Sequence, residues 1–252
     1  MKKYEIEIFQ GIHTVNGFPV IFIDKMKTLV FSDLHLGYEL SLAEKGIFIP
    51  QTQLKEILNR LREIFKRVSA NKLVIVGDVK HEFGEASRQE WKEVKELIKY
   101  LHGKVKKIIL VRGNHDNFLL TICNYLGIEV FDPYYYEKNI CFTHGHKKIN
   151  YPENTKLLII GHEHPSLVLK ERFDKIKVKC ILYGKMKNGK KIICLPAFSS
   201  WGMGTDINLI SPDDLLSPIL REEVNLEELI PIGLEEGLPP LKFPPLKKLR
   251  TV

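Results

Sequence analysis

The sequence predicts a layered α/β domain, and three observations carry that prediction. Short apolar runs of strand length alternate with amphipathic segments of helix length through the first 165 residues. After Pro165 the apolar runs become strand-rich, with turn signals between them. Five apolar runs end in sets of Asp, Asn or His, at the position where α/β sheets gather their ligands.

Taken in order, Phe18–Ile23 and residues 29–31 read as strands, separated by Asp24 to Lys27. Residues 52–68 place Leu54, Ile57, Leu58, Leu61, Ile64, Phe65 and Val68 at helical spacing. Residues 73–76 form a short β-rich run. Ser87 and Glu90 make a capping box, and Trp91, Val94, Leu97, Ile98 and Leu101 continue one helical face until Gly103. Residues 108–111 predict the next strand and residues 118–126 a helix. Ile140–Thr143 and Leu157–Ile160 follow as strands. Further strands are read at 167–169, 178–182 and 191–195, with Asn188-Gly189 as a hairpin turn. From Ser211 onward there is little periodicity, and seven of the 13 prolines lie there. Residues 1–210 are therefore read as the main domain, and 211–252 as a Pro-rich extension strapped along its surface.

Composition narrows the class. Hydrophobic residues make up 44% and charged residues 27% of 252, which suits a soluble enzyme able to bury a core without disulfides. Cys123, Cys141, Cys180 and Cys194 form no CxxC pair, so neither a zinc knuckle nor a thioredoxin-like motif is indicated. Cys141 and Cys194 lie in apolar runs and read as buried thiols. No apolar segment follows Lys2 and Lys3, and no run approaches the roughly 18 residues of a membrane span. A cytoplasmic location without membrane contact is the expectation. The net charge of +7 favours anionic partners such as nucleic acid, and solvated Lys-rich faces explain it equally well.

The chemistry lies at the strand ends. They read Ser32-Asp33-Leu34-His35, Gly77-Asp78, Arg112-Gly113-Asn114-His115-Asp116, His144-Gly145-His146 and Gly161-His162-Glu163-His164. Six of nine histidines fall within these sets, and His81 follows three residues after Asp78. Gathering so many polar groups without a cation would cost several kcal/mol. While the chain stays extended, Asp33 and His35 at i and i+2 point to one side, and His162 and His164 do the same. Carboxylate, imidazole and amide donors suit Mn²⁺, Fe or Zn²⁺ better than Mg²⁺ or Ca²⁺ alone. The absence of cysteine argues against a structural zinc site. Arg112, Lys147 and Lys148 stand near enough in sequence to meet an anionic ligand, or are solvated surface cations.

The ordered series Asp33-x-His35, Gly77-Asp78, Gly113-Asn114-His115-Asp116, His144 and Gly161-His162-x-His164 resembles the calcineurin-like metallophosphoesterase superfamily. The stretch Asp33-Leu34-His35-Leu36-Gly37-Tyr38-Glu39, with Gly46-Ile47 and Pro50, is similar to small archaeal phosphoesterases related to the SbcD nuclease and to phosphoesterases associated with bacterial DNA ligases. The resemblance implies a four-layer α/β/β/α sandwich of two mixed sheets flanked by helices. It implies two divalent ions, manganese first, with iron, zinc and nickel as alternatives. Asp33, His35, Asp78 and His164 would hold one ion, and Asp78, Asn114, His144 and His162 the other. His146 is the alternative to His144, which directly ends its strand. A water bridging the ions would become the nucleophile. His115 would stabilise phosphoryl charge or protonate the leaving oxygen, and Asp116 would orient its imidazole. His81 stands at a spacing that the related nucleases share, where it is tied to phosphodiester cleavage.

The leading expectation is a hydrolase of phosphodiesters, with DNA, RNA or a nucleotide as substrate. A phosphomonoesterase of a small metabolite is the alternative within enzymes. A non-catalytic scaffold would be expected to have lost ligands that are all present in this chain. A partner protein or a second copy is left open.

Overall fold

The computed structural model describes residues 5–171, 174–202 and 204–250. Its elements run β1 (Glu7–Phe9), β2 (Ile12–Val15), β3 (Phe18–Ile23), β4 (Thr28–Phe31), α1 (Tyr38–Glu44), α2 (Gln53–Phe65), β5 (Lys72–Val76), α3 (Arg88–His102), β6 (Lys107–Val111) and α4 (Leu119–Leu126). They continue with β7 (Glu129–Phe131), β8 (Tyr134–Glu137), β9 (Ile140–Thr143), β10 (Leu157–Ile160), β11 (Pro165–Glu171), β12 (Asp174–Lys185) and β13 (Lys191–Cys194). The last are β14 (Thr205–Asp206), α5 (Pro218–Glu223), β15 (Ile230–Leu234) and β16 (Leu241–Lys242). No helix among the described residues is long and apolar enough to cross a membrane.

The strands form two mixed sheets. The first has seven strands in the order β1 to β7, with β4, β5, β6 and β7 parallel. The second has nine, in the order β14-β11-β12-β13-β10-β9-β8, with β15 and β16 added beside β12. Alternation along each strand divides its residues between layers. Leu29, Phe31, Leu73 and Ile75 pack outward against Ile57, Leu61 and Ile64 of α2 and Leu97 and Leu101 of α3. Val30, Val74, Val76 and Val111 face inward, against Phe142, Ile159 and Ile193 of the second sheet. That sheet's outer face carries Cys141, Leu158, Ile160 and Ile192 against Ile219 and Leu220 of α5. Three apolar seams between four layers make the predicted α/β/β/α sandwich.

Local signals explain several boundaries. The α3 capping box forms, Ser87 Oγ accepting from the Glu90 amide and the Glu90 carboxylate from the Ser87 amide. Asn188-Gly189 closes the β12–β13 hairpin, with Gly189 at φ 82°. All four cysteines are buried and free.

The Pro-rich segment differs from the surface strap expected of it. β15 pairs with β12 over Ile230 to Leu234, and Leu215, Leu226, Leu229 and Leu246 are buried in the outer seam. Prolines there start α5 at Pro218 and sit in β15 at Pro231 rather than holding the chain off the core. Its burial depends on contacts with β12, which leave no periodic trace in the segment itself.

Candidate metal centre

Parallel strands of the two sheets end at one shared edge, and the turns beyond β4, β5, β6, β9 and β10 meet there. Backbone bonds stitch the turns together. The Asp33 amide donates to Gly77 O at 3.0 Å, and the Leu34 and His35 amides donate to Asp78 O at 2.9 and 3.0 Å. Gly161 N donates to His144 O at 3.0 Å, and Ser199 N reaches Asp33 O at 3.1 Å.

The expected extended geometry at Asp33-His35 and His162-His164 is not what forms. Asp33 (φ 59°), His35 (48°), Asp78 (49°), His162 (66°) and His164 (48°) all adopt left-handed backbone. The chain coils tightly after each strand because its amides are recruited by the neighbouring turn. The side chains still converge, through alternating backbone handedness rather than through strand pleating. Non-glycine residues in this region are strained, and such strain gathers at functional sites.

Two clusters result. Asp33, His35 and His164 offer ligand atoms within 4.8 Å of one another, and Asp78, His144 and His162 do the same. Donors on one ion at bond lengths of about 2.0–2.2 Å lie about 3 Å apart. His35 Nε2 is 3.4 Å from His164 Nε2, which is 3.2 Å from Asp33 Oδ1. His144 Nε2 is 3.2 Å from Asp78 Oδ2 and 3.0 Å from Asn114 Oδ1. Asp33 Oδ1 is buried without a hydrogen-bond partner. The residues therefore fit a pair of divalent ions.

The Val76 carbonyl sets how His144 is aimed. Its Nδ1 donates to Val76 O at 3.0 Å, which leaves Nε2 aimed at two oxygens. Burial opposes a charge there, yet the carboxylates of Asp78 and Asp33 push His144 up to about 9. Burial and the neighbouring imidazoles push His35 down to about 3 and His162 to about 4, keeping them neutral as ligands must be. Gly77 and Gly113 lie where a Cβ would strike the His144 ring and the Asp78 carboxylate.

Neither set of converging ligand atoms includes His146. Its ring lies 5.3 Å from that of His144 and 6.0 Å from that of His162, and it lines a polar cavity of about 170 Å³ with Arg112, Asn114 and Lys147. Arg112 and Lys147 both pair with Asp132, at 2.9 and 3.0 Å, and Lys148 pairs with Glu222.

His115 and His81 flank the first cluster. The ligand atoms of His35, His81 and His115 lie within 4.8 Å of one another. His115 Nδ1 contacts the His81 carbonyl, and its Nε2 lies 3.8 Å from Asp78 Oδ2. The Phe83 ring stacks on His115 at 3.8 Å between centroids. Burial, His115 and Lys45 hold the His81 imidazole below its usual range.

Asp116 does not orient His115. Its Oδ1 accepts from Val79 N at 2.9 Å and its Oδ2 from Gly113 N at 2.9 Å. Both oxygens are spent on backbone amides, so Asp116 fastens the β5 turn to the β6 turn. Burial and the Asp78 charge push its carboxyl up to about 7.

Residues outside the strand-end motifs also build the centre. Gln53 Nε2 donates to Leu34 O, His35 O and Ser199 Oγ at 2.9, 3.0 and 2.9 Å. Glu90 Oε1 accepts from the amides of His81 and Glu82 at 3.1 and 3.0 Å. Ser217 Oγ donates to Gly145 O and its amide to Glu163 Oε2, each at 2.8 Å, tying the Pro-rich segment to two ligand turns. The capping box was the one signal that could have pointed to Glu90.

A family model described as calcineurin-like phosphoesterase matches residues 26–195. No curated protein matches the chain. Among solved structures, the Pseudomonas putida nuclease MPE superposes with a TM-score of 0.66 at 19% identity, covering 95% of this chain and 98% of that one, a likeness of fold. YfcE, a phosphoesterase from E. coli, aligns with a TM-score of 0.40 at 22% identity, over 68% of this chain and 80% of its own.

Proposed function

Since this chain belongs to the calcineurin-like phosphoesterase family, its matched region spanning more than half of its length, we propose that it hydrolyses phosphodiesters of nucleic acid or nucleotides. One observation carries the choice of diester over monoester: His81 stands beside His115 at the edge of the first metal cluster. Either ester loses an alkoxide, but only a diester carries a second ester group in place of a free phosphoryl oxygen, and two imidazoles at that edge can hold that group in position.

Two divalent ions, when bound, would activate water and neutralise the phosphoryl oxygens. Asp33, His35, Asp78 and His164 would hold one, and Asp78, Asn114, His144 and His162 the other, with His144 preferred over His146 because its Nε2 faces Asp78 and Asn114. His115 Nε2 points toward Asp78 and would hold the phosphoryl group while water attacks phosphorus and the ester P–O bond breaks. The alcohol leaves with a proton delivered by His115, while His81 steers the ester group that remains. Its donor set supports manganese as the metal. The fold of the P. putida nuclease supports nucleic acid as a substrate.

The test is His81→Ala with Mn²⁺ and p-nitrophenyl substrates. The bis ester should lose about 10²-fold or more in kcat, because its second ester group is no longer held in line, while the monoester and bound metal change little. Equal losses on both esters would favour the phosphomonoesterase reading.

A further inference from the structure

The loop after β13, residues 195–202, is fastened to the metal centre more firmly than a connection requires. Phe198 N and Ser199 N donate to Ser32 O and Asp33 O at 2.9 and 3.1 Å, so the loop pairs in parallel beside the turn that carries Asp33. The half-buried Lys179 ammonium donates to Ala197 O at 2.7 Å and to Ser199 O, and Arg60 donates to Phe198 O at 2.7 Å. What this anchored loop presents is Trp201, with its side chain 37% exposed at the mouth of the centre. Its ring lies 6.1 Å from that of Tyr38, which meets the His81 ring edge-on at 4.6 Å. Together with His35 and His164 these rings line a cavity of about 230 Å³. The cavity on the opposite side of the centre is polar and carries Arg112, Asn117 and Lys147 instead.

The exposed part of the indole, carried on an anchored loop, forgoes burial that a looser loop would allow it. The arrangement gains stability when a flat apolar group covers it. The group must come with the phosphoester, because the cavity opens onto the first metal cluster. From this we infer that Trp201 and Tyr38 stack the nucleobase attached to the scissile phosphate, making the enzyme selective for base-bearing diesters. The inference rests on the phosphodiesterase reading and names its substrate class. Trp201 and Tyr38 act as specificity-determining residues, and the polar cavity takes the remainder of the chain.

The test compares thymidine 5′-(p-nitrophenyl phosphate) with methyl p-nitrophenyl phosphate on the Mn²⁺-loaded full chain. The ratio of their kcat/KM values should fall about tenfold in Trp201→Ala, the size of one lost base–aromatic stack, and stay within about threefold of wild type in Trp201→Phe. A ratio that Trp201→Ala leaves unchanged overturns the inference while the diesterase reading stands. If neither diester is cleaved, the diesterase reading fails and a binding measurement decides the stack alone. The chain has two tryptophans, so Trp91→Phe leaves Trp201 as the sole reporter. Saturable quenching by adenosine 5′-monophosphate, absent with ribose 5-phosphate, supports the stack. Equal or absent responses to the two overturn it.

Discussion

At the residue scale, the centre is built on unfavourable backbone. Asp33, His35, Asp78, His162 and His164 all have φ between 48° and 66°, where an L-residue costs about 1–2 kcal/mol. These residues are held by the amide bonds of adjacent turns and by the chemistry their side chains serve. Glycine normally destabilises a site relative to alanine, and here the order should invert. In chelator, His35→Gly should be about 1 kcal/mol more stable than His35→Ala by urea denaturation, with metal binding weakened in both. The usual order, alanine above glycine, would show that the strain is absent.

At the element scale, α3 does two things through one side chain. Glu90 closes the capping box at Ser87 and accepts the amides of His81 and Glu82. The helix start thereby sets the height of His81 beside the metals. Lys80 adds to this, its buried ammonium donating to Gly84 O at 3.0 Å and to Glu82 O. Glu90→Ala should cost about 2–3 kcal/mol, combining a lost cap with unsatisfied amides. Its diesterase activity should fall further than its monoesterase activity, because His81 loses its support. Equal falls would confine Glu90 to stability. Gln53 plays a similar part at the start of α2, where it fixes the turn carrying His35.

At the scale of the whole molecule, the segment after residue 210 completes the sandwich. Buried Leu215, Ile219, Leu220, Leu226, Leu229, Ile232 and Leu246 each contribute about 1.5–3 kcal/mol, a sum comparable with the 5–15 kcal/mol net stability of a domain. A chain ending at residue 210 should therefore be insoluble or unable to bind Mn²⁺. A monodisperse, metal-binding truncation would contradict the role given to β15. Protonation acts on the whole molecule as well. His35, His146 and His162, held near 3, 4 and 4 by burial, are charged in the unfolded chain below about pH 6.5 and neutral in the folded one. Depressed histidines make stability fall as pH drops from about 6.5 toward 4. Asp116, raised to about 7, opposes with one proton, and His144, raised to about 9, contributes stability that fades only above its unfolded value. His81 is lowered too, and burial raises Glu93 and Glu163 alongside Asp116; four depressed imidazoles outweigh three raised carboxyls, so the chelated protein's urea midpoint should decline from pH 6.5 to 4. A flat profile would mean that these imidazoles are not buried neutral.

The sequence by itself determined the strands, the capped helix and the places where chemistry attaches. Each is local: a run of β-branched residues, a 3.6-residue period, or a polar set directly after an apolar run. Asp33, Asp78, Asn114, His144 and His162 were legible because a strand delivers its last residues to a sheet edge. The tertiary structure alone decided how those residues are aimed. Left-handed turns replaced the expected pleat because amides of one turn bond carbonyls of the next, an arrangement set by neighbouring strands. Asp116 was drawn from His115 to two backbone amides for the same reason. Gln53, Glu90, Ser217 and the burial of β15 depend on partners tens of residues away. Such partners leave no pattern in the segment that needs them, because burial and hydrogen bonding are satisfied across space and not along the chain.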